Sequence, residues 1–305
     1  MPIITVRHLT RYRYRKPVAF GEHRMMLRPQ EGVDQRLLAY DLHISPHPHT
    51  LRTVEDSFGN AVTLATFQRK AKALEVEARF TVDHRPLSLA DRRGGLITGP
   101  LVKPPFVYGE DEADDLALLA RPDDSLAVSA FAQRFVAKDG PTPLLHALAE
   151  MTGAIRAEFT YRSRLQGAAQ SAEQTLFLHT GACRDFAVLM MEAARSLGLA
   201  ARYVSGYVVN TPKLDGSPRL GGGHTHAWLQ VYLPQLGWVD FDPTNAIVGG
   251  QGLIRVMVVR LPRQADVLSG DYDGDAGDYL GMDVEVDVAE QSSPHAAEPA
   301  VRAAA

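Results

Sequence analysis

Two kinds of hydrophobic pattern occupy separate stretches of this 305-residue chain, and this separation restricts the folds it can adopt. In the first hundred residues apolar side chains fall on alternate positions, most regularly over Leu74–Val82, as in a strand with one buried face. Helical spacing appears later, first over 144–155 and then over 183–197. Strand-like runs then return at 201–209, 227–233, 237–241 and 253–259. Because strands and helices do not alternate, the order predicts an α+β fold.

The length suggests two domains, and composition indicates where they separate. A stretch rich in Pro and Gly runs from 94 to 109 and is typical of a linker. We predict an N-terminal antiparallel β domain at 1–105, followed by a linker and helical lead-in at 106–140. A core of helices packed on an antiparallel sheet is predicted at 141–290. The last residues, 291–305, are rich in Ala, Pro, Ser and Glu and are predicted to be a disordered tail.

Charge is distributed unevenly along the chain. Residues 1–105 carry 17 Lys and Arg against 10 Asp and Glu, whereas residues 264–305 carry 1 against 10. Two interpretations are open: each block is a solvated surface, or the acidic C-terminal segment docks on a basic N-terminal face. The formal net charge is −4, which argues against nucleic acid as a partner.

Neither a targeting segment nor a membrane helix is apparent in the sequence. The first sixteen residues lack the apolar core of a signal peptide, and no apolar run approaches the roughly 18 residues of a membrane span. We therefore expect a cytoplasmic protein without a membrane partner. The oligomeric state is not predicted.

Cys183 is the single cysteine of the chain. One cysteine excludes an internal disulfide and a thiolate zinc cluster within the chain. Small residues precede Cys183, and a predicted helix begins at it, so the helix dipole and unbonded backbone N–H groups favour thiolate over thiol. The same N–H groups could bind an oxyanion formed by attack on a carbonyl. The alternative is a small buried apolar residue, which describes most free cysteines.

His226 and Asp242 belong to two neighbouring predicted strands. A turn at 234–237 joins these strands, so they are expected to be antiparallel, with the start of one beside the end of the other. Parity places His226 and Asp242 on one face, where a carboxylate can orient an imidazole. Asp240 points the same way but lies one step inside the strand. Alone, the histidine could be an ordinary hydrogen-bonding residue, and the aspartate before Pro243 could form a turn.

Two places along the chain contain residue types that can bind metals. His224 and His226 lie at strand spacing and could bind a metal, but no second histidine pair lies nearby. The segment 271–278 has Asp at alternate positions with Gly, like the start of a calcium loop. Met282 occupies the position where such a loop needs its last ligand, so we predict a solvated turn. No metal and no cofactor are predicted.

Four sequence blocks together resemble the bacterial transglutaminase-like superfamily. They are Gly181–Ala187, Gly198–Tyr207, His226–Trp228, and Gly237–Trp238 with Asp242–Asn245. Their order and spacing match that family over about residues 140–268. The N-terminal blocks Tyr12–Tyr14, Leu27–Pro29 and Asp56–Asn60 resemble the β domain that precedes the core in many bacterial members.

The resemblance implies a papain-like α+β transglutaminase core. It assigns the nucleophile to Cys183, the acid/base to His226 and the orienting carboxylate to Asp242. We therefore expect thiol-dependent acyl transfer on a peptide or protein amide, as a peptidase, an amidase or deamidase, or a transglutaminase. Two alternatives remain open at this stage: a catalytically silent binding module with this fold, and a metalloprotein using His224, His226 and Asp242.

Overall fold

A computed structural model describes residues 2–86, 101–102, 105–164, 167–209 and 219–291. Most of the predicted Pro/Gly-rich linker and the predicted tail beyond residue 291 lie outside these residues. The helices are α1 Glu110–Ala120, α2 Leu126–Gln133, α3 Leu144–Glu158, α4 Ala172–Leu178 and α5 Cys183–Ser196. The strands are β1 Ile3–Phe20, β2 His23–Met25, β3 Gln35–Ser45, β4 Thr50–Glu55, β5 Ala61–Thr66, β6 Ala71–His84, β7 Leu101–Val102, β8 Thr142–Pro143, β9 Thr160–Tyr161, β10 Thr180–Gly181, β11 Ala201–Val208, β12 His226–Leu233, β13 Gly237–Asp242, β14 Ile247–Val248, β15 Leu253–Val259, β16 Leu268–Ser269, β17 Tyr272–Asp273 and β18 Tyr279–Gln291.

The N-terminal region consists of antiparallel sheets, as the alternating pattern predicts. One sheet has β1 at its centre, between β6 and β18, with β3 beyond β6, and a second has the order β16-β2-β5-β4. Along β6, every second residue from Leu74 to His84 is buried. Inner side chains of both sheets, including Phe20, Met25 and Val76, pack into one apolar cluster. The α+β class and the N-terminal antiparallel region are confirmed.

The C-terminal segment returns to the N-terminal region. Strand β18 pairs with β1 from Gln291 opposite Ile3 to Tyr279 opposite Tyr14. The predicted boundaries assign residues up to 290 to the core. Local sequence patterns carry no information about pairing between the two ends of a chain, so they could not indicate this contact. Short strand β17 likewise pairs with the end of β1, where a solvated turn was predicted.

Opposite charges face one another across this pairing. Arg7 Nη1 lies 3.4 Å from Glu285 Oε2, and Arg13 Nη2 lies 2.9 Å from Asp283 Oδ2. Arg7 is about one-third exposed and the other three partners about half exposed, so each pair contributes little stability alone. The arrangement confirms the second interpretation of the charge blocks: the acidic segment docks on the basic N-terminal strand.

The core is a five-stranded antiparallel sheet with the order β14-β13-β12-β11-β15, and helices pack on one face. Helix α5 lies against β11 and β12 and also contacts α2, α3 and α4. The helical spacing of its apolar residues predicts one apolar face. Instead, it is buried from Asp185 to Arg195, because the other helices cover the side that faces away from the sheet. Its buried Glu192 and Arg195 pair with each other at 2.7 Å.

The acidic stretch after the linker forms helix α1, whose first turn contains Glu110, Asp111 and Glu112. Carboxylates in a first turn interact favourably with the helix dipole, and Leu116 provides a buried anchor. The two regions meet through an apolar cluster that joins N-terminal residues such as Val6 and Phe80 to Tyr207 and Ile254 of the core. Among the described residues, no helix has the length and apolar character needed to cross a membrane.

Candidate active site

Cys183 is the first residue of α5 and is partly buried. The carboxylate of Asp185, itself 1% exposed, fixes the chain around it. Asp185 Oδ2 accepts the Ala182 N–H at 2.8 Å, while Oδ1 accepts the Gln170 N–H at 2.8 Å and pairs with Arg164 Nη2 at 2.8 Å. The helix start and the segment that precedes α4 are therefore tied to one buried carboxylate.

His226, the first residue of β12, and Asp242, the last residue of β13, lie side by side at the ends of these two strands. The antiparallel register of β12 and β13 runs from Leu229 opposite Phe241 to Leu233 opposite Gly237, as the predicted turn requires. His226 Nε2 and Asp242 Oδ2 are 2.8 Å apart, and both residues are buried. Because an ionised carboxylate only accepts hydrogen bonds, Nε2–H is the donor, and Nδ1 is left to face the site.

Asp242 is stabilised as a carboxylate by several donors besides His226. Its Oδ1 accepts the Thr244 N–H at 2.9 Å, and its Oδ2 accepts Asn245 Nδ2 at 2.8 Å. Burial acts to raise its pKa, but the charge and hydrogen bond of His226, together with these donors, outweigh burial and lower it. Asn245 also bonds both backbone groups of Leu220, with 2.7 Å to the N–H and 3.0 Å to the carbonyl.

The imidazole of His226 carries its positive charge readily despite full burial. Burial opposes the charge, but the charge and hydrogen bond of Asp242, with contributions from Cys183, raise its pKa to about 10. Gly221 has a φ of +86°, and a Cβ there would lie 2.5 Å from His226 Nδ1. The glycine-rich loop thus approaches the ring at a distance that only glycine permits.

A cleft of about 810 Å³ lies beside this arrangement. Cys183 and His226 both line it, and so do two tyrosines, Tyr161 and Tyr203. Burial raises the pKa of both tyrosines, with the charge of Cys183 as a further contribution, so both remain protonated near neutral pH. The cleft has the size of a small-molecule or peptide side-chain site.

The structure brings Cys183, His226 and Asp242 together, as the sequence predicted, and separates Asp240 from them. Asp240 Oδ1 accepts Trp228 Nε1 at 2.8 Å and Gln230 Nε2 at 2.9 Å, one step inside the sheet. His224 also lines the cleft. Across the described residues, no group of three or more His, Cys, Asp or Glu side chains is placed to hold a metal ion.

Sequence reasoning gave no role to Asn245 or Asp185. Asn245 follows the strand-terminal Asp242 by three residues, which is the spacing of a β-turn and could have indicated their contact. Asp185 is the third residue of α5, where an acidic side chain commonly binds backbone N–H groups before the helix. Its bonds to residues 164 and 170 have no local signal.

Comparisons with protein families identify both regions of the chain. The model of the transglutaminase-like superfamily matches residues 129–243, and that of the bacterial transglutaminase-like N-terminal region matches residues 4–83. An uncharacterized protein of Mycobacterium tuberculosis is 32% identical over 251 residues, which cover 79% of this chain and 78% of that protein. An uncharacterized protein of Mycobacterium leprae is 28% identical over 281 residues, covering 92% of this chain and 96% of its own length.

One solved structure matches nearly the whole chain. It is described as a "Putative Cysteine Protease from Cytophaga hutchinsonii" and has a TM-score of 0.70 with 19% sequence identity. The match covers 96% of this chain and 91% of that chain. At this identity the likeness concerns the fold, and it extends over the N-terminal sheets as well as the core.

Proposed function

Because this chain belongs to the transglutaminase-like superfamily, we propose that it transfers the acyl group of an amide through a thioester on Cys183. Membership of this superfamily and the likeness in fold are consistent with thiol-dependent catalysis in general. The observation that carries the specific proposal is the buried 2.8 Å pair of His226 and Asp242 beside a cysteine at a helix start, in one cleft. This is the arrangement of nucleophile, base and orienting group used in covalent catalysis.

Formation of the thioester depends on a proton held by His226. In the resting pair Nδ1 already holds the proton of the Cys183 thiol, consistent with the raised pKa of His226, and the thiolate attacks the amide carbonyl carbon. The resulting oxyanion faces the N-terminus of α5, where the Cys183 N–H can stabilise it. Collapse of this intermediate breaks the C–N bond, and Nδ1–H protonates the departing amine, which leaves a thioester on Cys183.

The second half of the reaction restores the resting pair. His226 removes a proton from a water molecule or an amine, and this nucleophile attacks the thioester carbonyl. The C–S bond then breaks, and the proton stays on His226 beside the Cys183 thiolate. Water yields a carboxylic acid, whereas an amine yields a new amide. Throughout, Asp242 accepts Nε2–H and thereby fixes the tautomer that leaves Nδ1 directed at the cysteine.

Acyl-enzyme trapping tests this proposal. The protein is mixed with p-nitrophenyl acetate, quenched in acid and digested, and the Cys183 peptide is examined by mass spectrometry. We expect an acetyl group on Cys183 in the wild type, and p-nitrophenolate release in the Cys183→Ala variant no faster than that caused by surface lysines. A library of peptide amides then identifies the natural acyl group by the adduct it leaves.

Two results would contradict the proposal. One is an unmodified Cys183 with both the ester and the amide library. The other is an equal rate of acyl transfer in wild type and Cys183→Ala. Either result would favour a catalytically silent binding module, whose partner should then bind Cys183→Ala and wild type equally.

A further inference from the structure

A second buried carboxylate lies next to the proposed catalytic pair and has no part in the reaction described above. Asp240 is 5% exposed and lies on the same face of β13 as Asp242. Its Oδ1 accepts two hydrogen bonds, at 2.8 Å from Trp228 Nε1 and at 2.9 Å from Gln230 Nε2. Both donors lie on the same face of β12 as His226, two and four residues after it, so Asp240 fixes the neighbours of the proposed base on that face.

Trp228 transmits this restraint to the imidazole. Its ring stacks on that of His226, with centroids 6.1 Å apart and planes inclined by 24°. The indole is fully buried, and Gly206 makes room for it, because a Cβ there would lie 2.9 Å from the ring. Asp242 therefore restrains the edge of the imidazole while Trp228, fixed by Asp240, covers its face.

The N-terminal region holds one residue of the core sheet, Arg255, in place. Arg255 of β15 forms a two-pronged pair with Asp34, with both nitrogen–oxygen distances at 3.0 Å. Its Nε donates to Gln30 Oε1 at 3.2 Å. Gln35 binds the Arg255 backbone on both sides, accepting its N–H at 3.0 Å and donating to its carbonyl at 2.7 Å. Asp34 and Gln30 thus hold the buried guanidinium of Arg255, and Gln35 holds its backbone.

Arg255 is linked to Trp228 and His226 through β11. Its backbone partner there is Gly206, which also lies opposite His226 and leaves room for the Trp228 ring. Burial raises the pKa of Asp240, and the charge of Arg255 opposes this rise. Gly250 closes the Asp240 site: its φ is +85°, and a Cβ there would lie 2.9 Å from Asp240 Oδ2. Because burying a charge is costly, the stability of a carboxylate in this site depends on the hydrogen-bond donors fixed around it.

We infer that Asp34, Arg255, Asp240 and Trp228 form a positioning chain through which the N-terminal region orients the imidazole of His226. The inference rests on the proposed function for its catalytic consequence, but the orientation of the ring can be measured without catalysis. It assigns a role to the N-terminal sheets: they complete the support of the proposed active site. None of the four residues contacts a substrate in this scheme.

Four variants separate the links of this positioning chain. Asp240→Leu removes the acceptor at similar volume, whereas Asp240→Asn retains an acceptor oxygen for Trp228. Trp228→Phe retains a ring over His226 but loses the donor to Asp240. It replaces Asp240→Leu as the test if that variant does not fold. Asp34→Ala releases Arg255 from the N-terminal side.

Asn60→Ala is the matched control for Asp34→Ala. Asn60 also binds β15 from the N-terminal region, accepting the Val258 N–H at 2.9 Å and donating to the Val258 carbonyl at 2.7 Å. It is fully buried. Its loss should loosen the contact between the two regions while leaving the pairing of Asp34 with Arg255 in place.

The first readout is the low-field proton NMR signal of His226 Nε2–H, which the His226→Gln variant assigns by its disappearance. We expect this signal to shift or broaden in Asp240→Leu and in Asp34→Ala, and to stay near its wild-type position in Asp240→Asn and Asn60→Ala. An unchanged signal in Asp240→Leu, or in Trp228→Phe if the former is unfolded, overturns the inference. An equal change in Asn60→Ala and Asp34→Ala overturns the part played by the N-terminal region.

The second readout is acylation of Cys183 by p-nitrophenyl acetate, corrected for the folded fraction. We expect Asp240→Leu to lower kcat by about 10- to 100-fold with KM unchanged, since a small displacement of a catalytic group has effects of this order. Asp240→Asn should recover most of the rate. A displaced NMR signal with an unchanged kcat would show that the restraint has no catalytic role. If the wild type is not acylated at Cys183, the proposed function fails, while the NMR result still decides the positioning chain.

Discussion

Two buried histidines, one in each region of the molecule, have opposite charge states. His8 in β1 and His226 in β12 are each 1% exposed, and both ring nitrogens of His8 are hydrogen-bonded. Burial lowers the pKa of His8 to about 4, because its partners Thr10 and Tyr207 are neutral hydroxyls. Burial acts the same way on His226, but Asp242 and Cys183 raise its pKa to about 10. The partner, and not the depth of burial, therefore decides which imidazole can support proton transfer.

The largest expected difference between the two histidines is catalytic. We expect His226→Gln to lower acylation of Cys183 by at least ~10³-fold, because it removes the acceptor of the thiol proton. The matched variant His8→Gln should leave the rate per folded molecule unchanged. Burst kinetics with p-nitrophenyl acetate measure both. A similar loss of acylation rate in both variants would contradict a catalytic role specific to His226.

The second prediction removes the charge that distinguishes His226. Asp242→Asn should lower acylation by about 10²- to 10⁴-fold, since an uncharged partner no longer stabilises the imidazolium and can favour the wrong tautomer. Its pH–rate profile should also show a lower pKa for the imidazole than the wild type does. Asp278→Asn is the control, because Asp278 is a carboxylate, 6% exposed, in a turn that packs against β1, and it does not line the cleft. Equal profiles for Asp242→Asn and wild type would contradict the role of the carboxylate.

The third prediction concerns folding stability in acid. The folded-state pKa of His8 lies below its unfolded value of about 6.5, so its stabilisation is complete above about pH 6.5 and is lost as the pH falls toward 4. Urea unfolding at pH 6.5 and 4.5 should show that His8→Gln removes about 2–3 kcal/mol of the pH-dependent loss. His84 shows the same downward shift, so a smaller acid dependence should remain. Identical pH dependence in wild type and His8→Gln would contradict a neutral buried His8.

His226 should show the reverse sign. Its folded-state pKa lies above the unfolded value, so its stabilisation is present below about pH 6.5 and is lost as the pH rises through about 10. Between pH 7 and 10 the wild type should therefore lose more stability than His226→Gln. Parallel curves in this interval would indicate that the buried imidazole is neutral.

The smallest expected effect lies on the exposed face of the N-terminal sheet. Arg13 and Asp283 are about half exposed and pair at 2.9 Å. We expect Arg13→Ala to destabilise the protein by about 0.5 kcal/mol at low salt, and less at high salt because exposed pairs are screened. A loss of several kcal/mol would mean that docking of the acidic strand depends on single charges. That outcome would contradict the expected difference in strength between this exposed pair and the buried pair of His226 and Asp242.

Much of the site followed from local sequence. The helix that begins at Cys183 and the turn at 234–237 both have local signals, and strand parity placed His226 beside Asp242 on one face. The resemblance to the family is confirmed by both matched regions. The catalytic roles of the three residues, the domain boundaries and the cytoplasmic location stay predictions.

The features that sequence did not predict depend on contacts between distant parts of the chain. Arg255 meets Asp34 across 221 positions, and nothing near either residue indicates the other. The pairing of β18 with β1 joins the two ends of the described chain. Even the burial of α5 on all sides depends on helices that precede it, so its own pattern indicated only one apolar face.

The rate at which iodoacetamide alkylates Cys183 near neutral pH tests the central claim most directly. This reaction needs a reactive thiolate but neither an acyl substrate nor an oxyanion site. If the charged His226 and Asp242 pair activates Cys183, the wild type should react at least about 10-fold faster than His226→Gln and Asp242→Asn at pH 7. Slow alkylation of the wild type, at the same rate as both variants, would contradict the account.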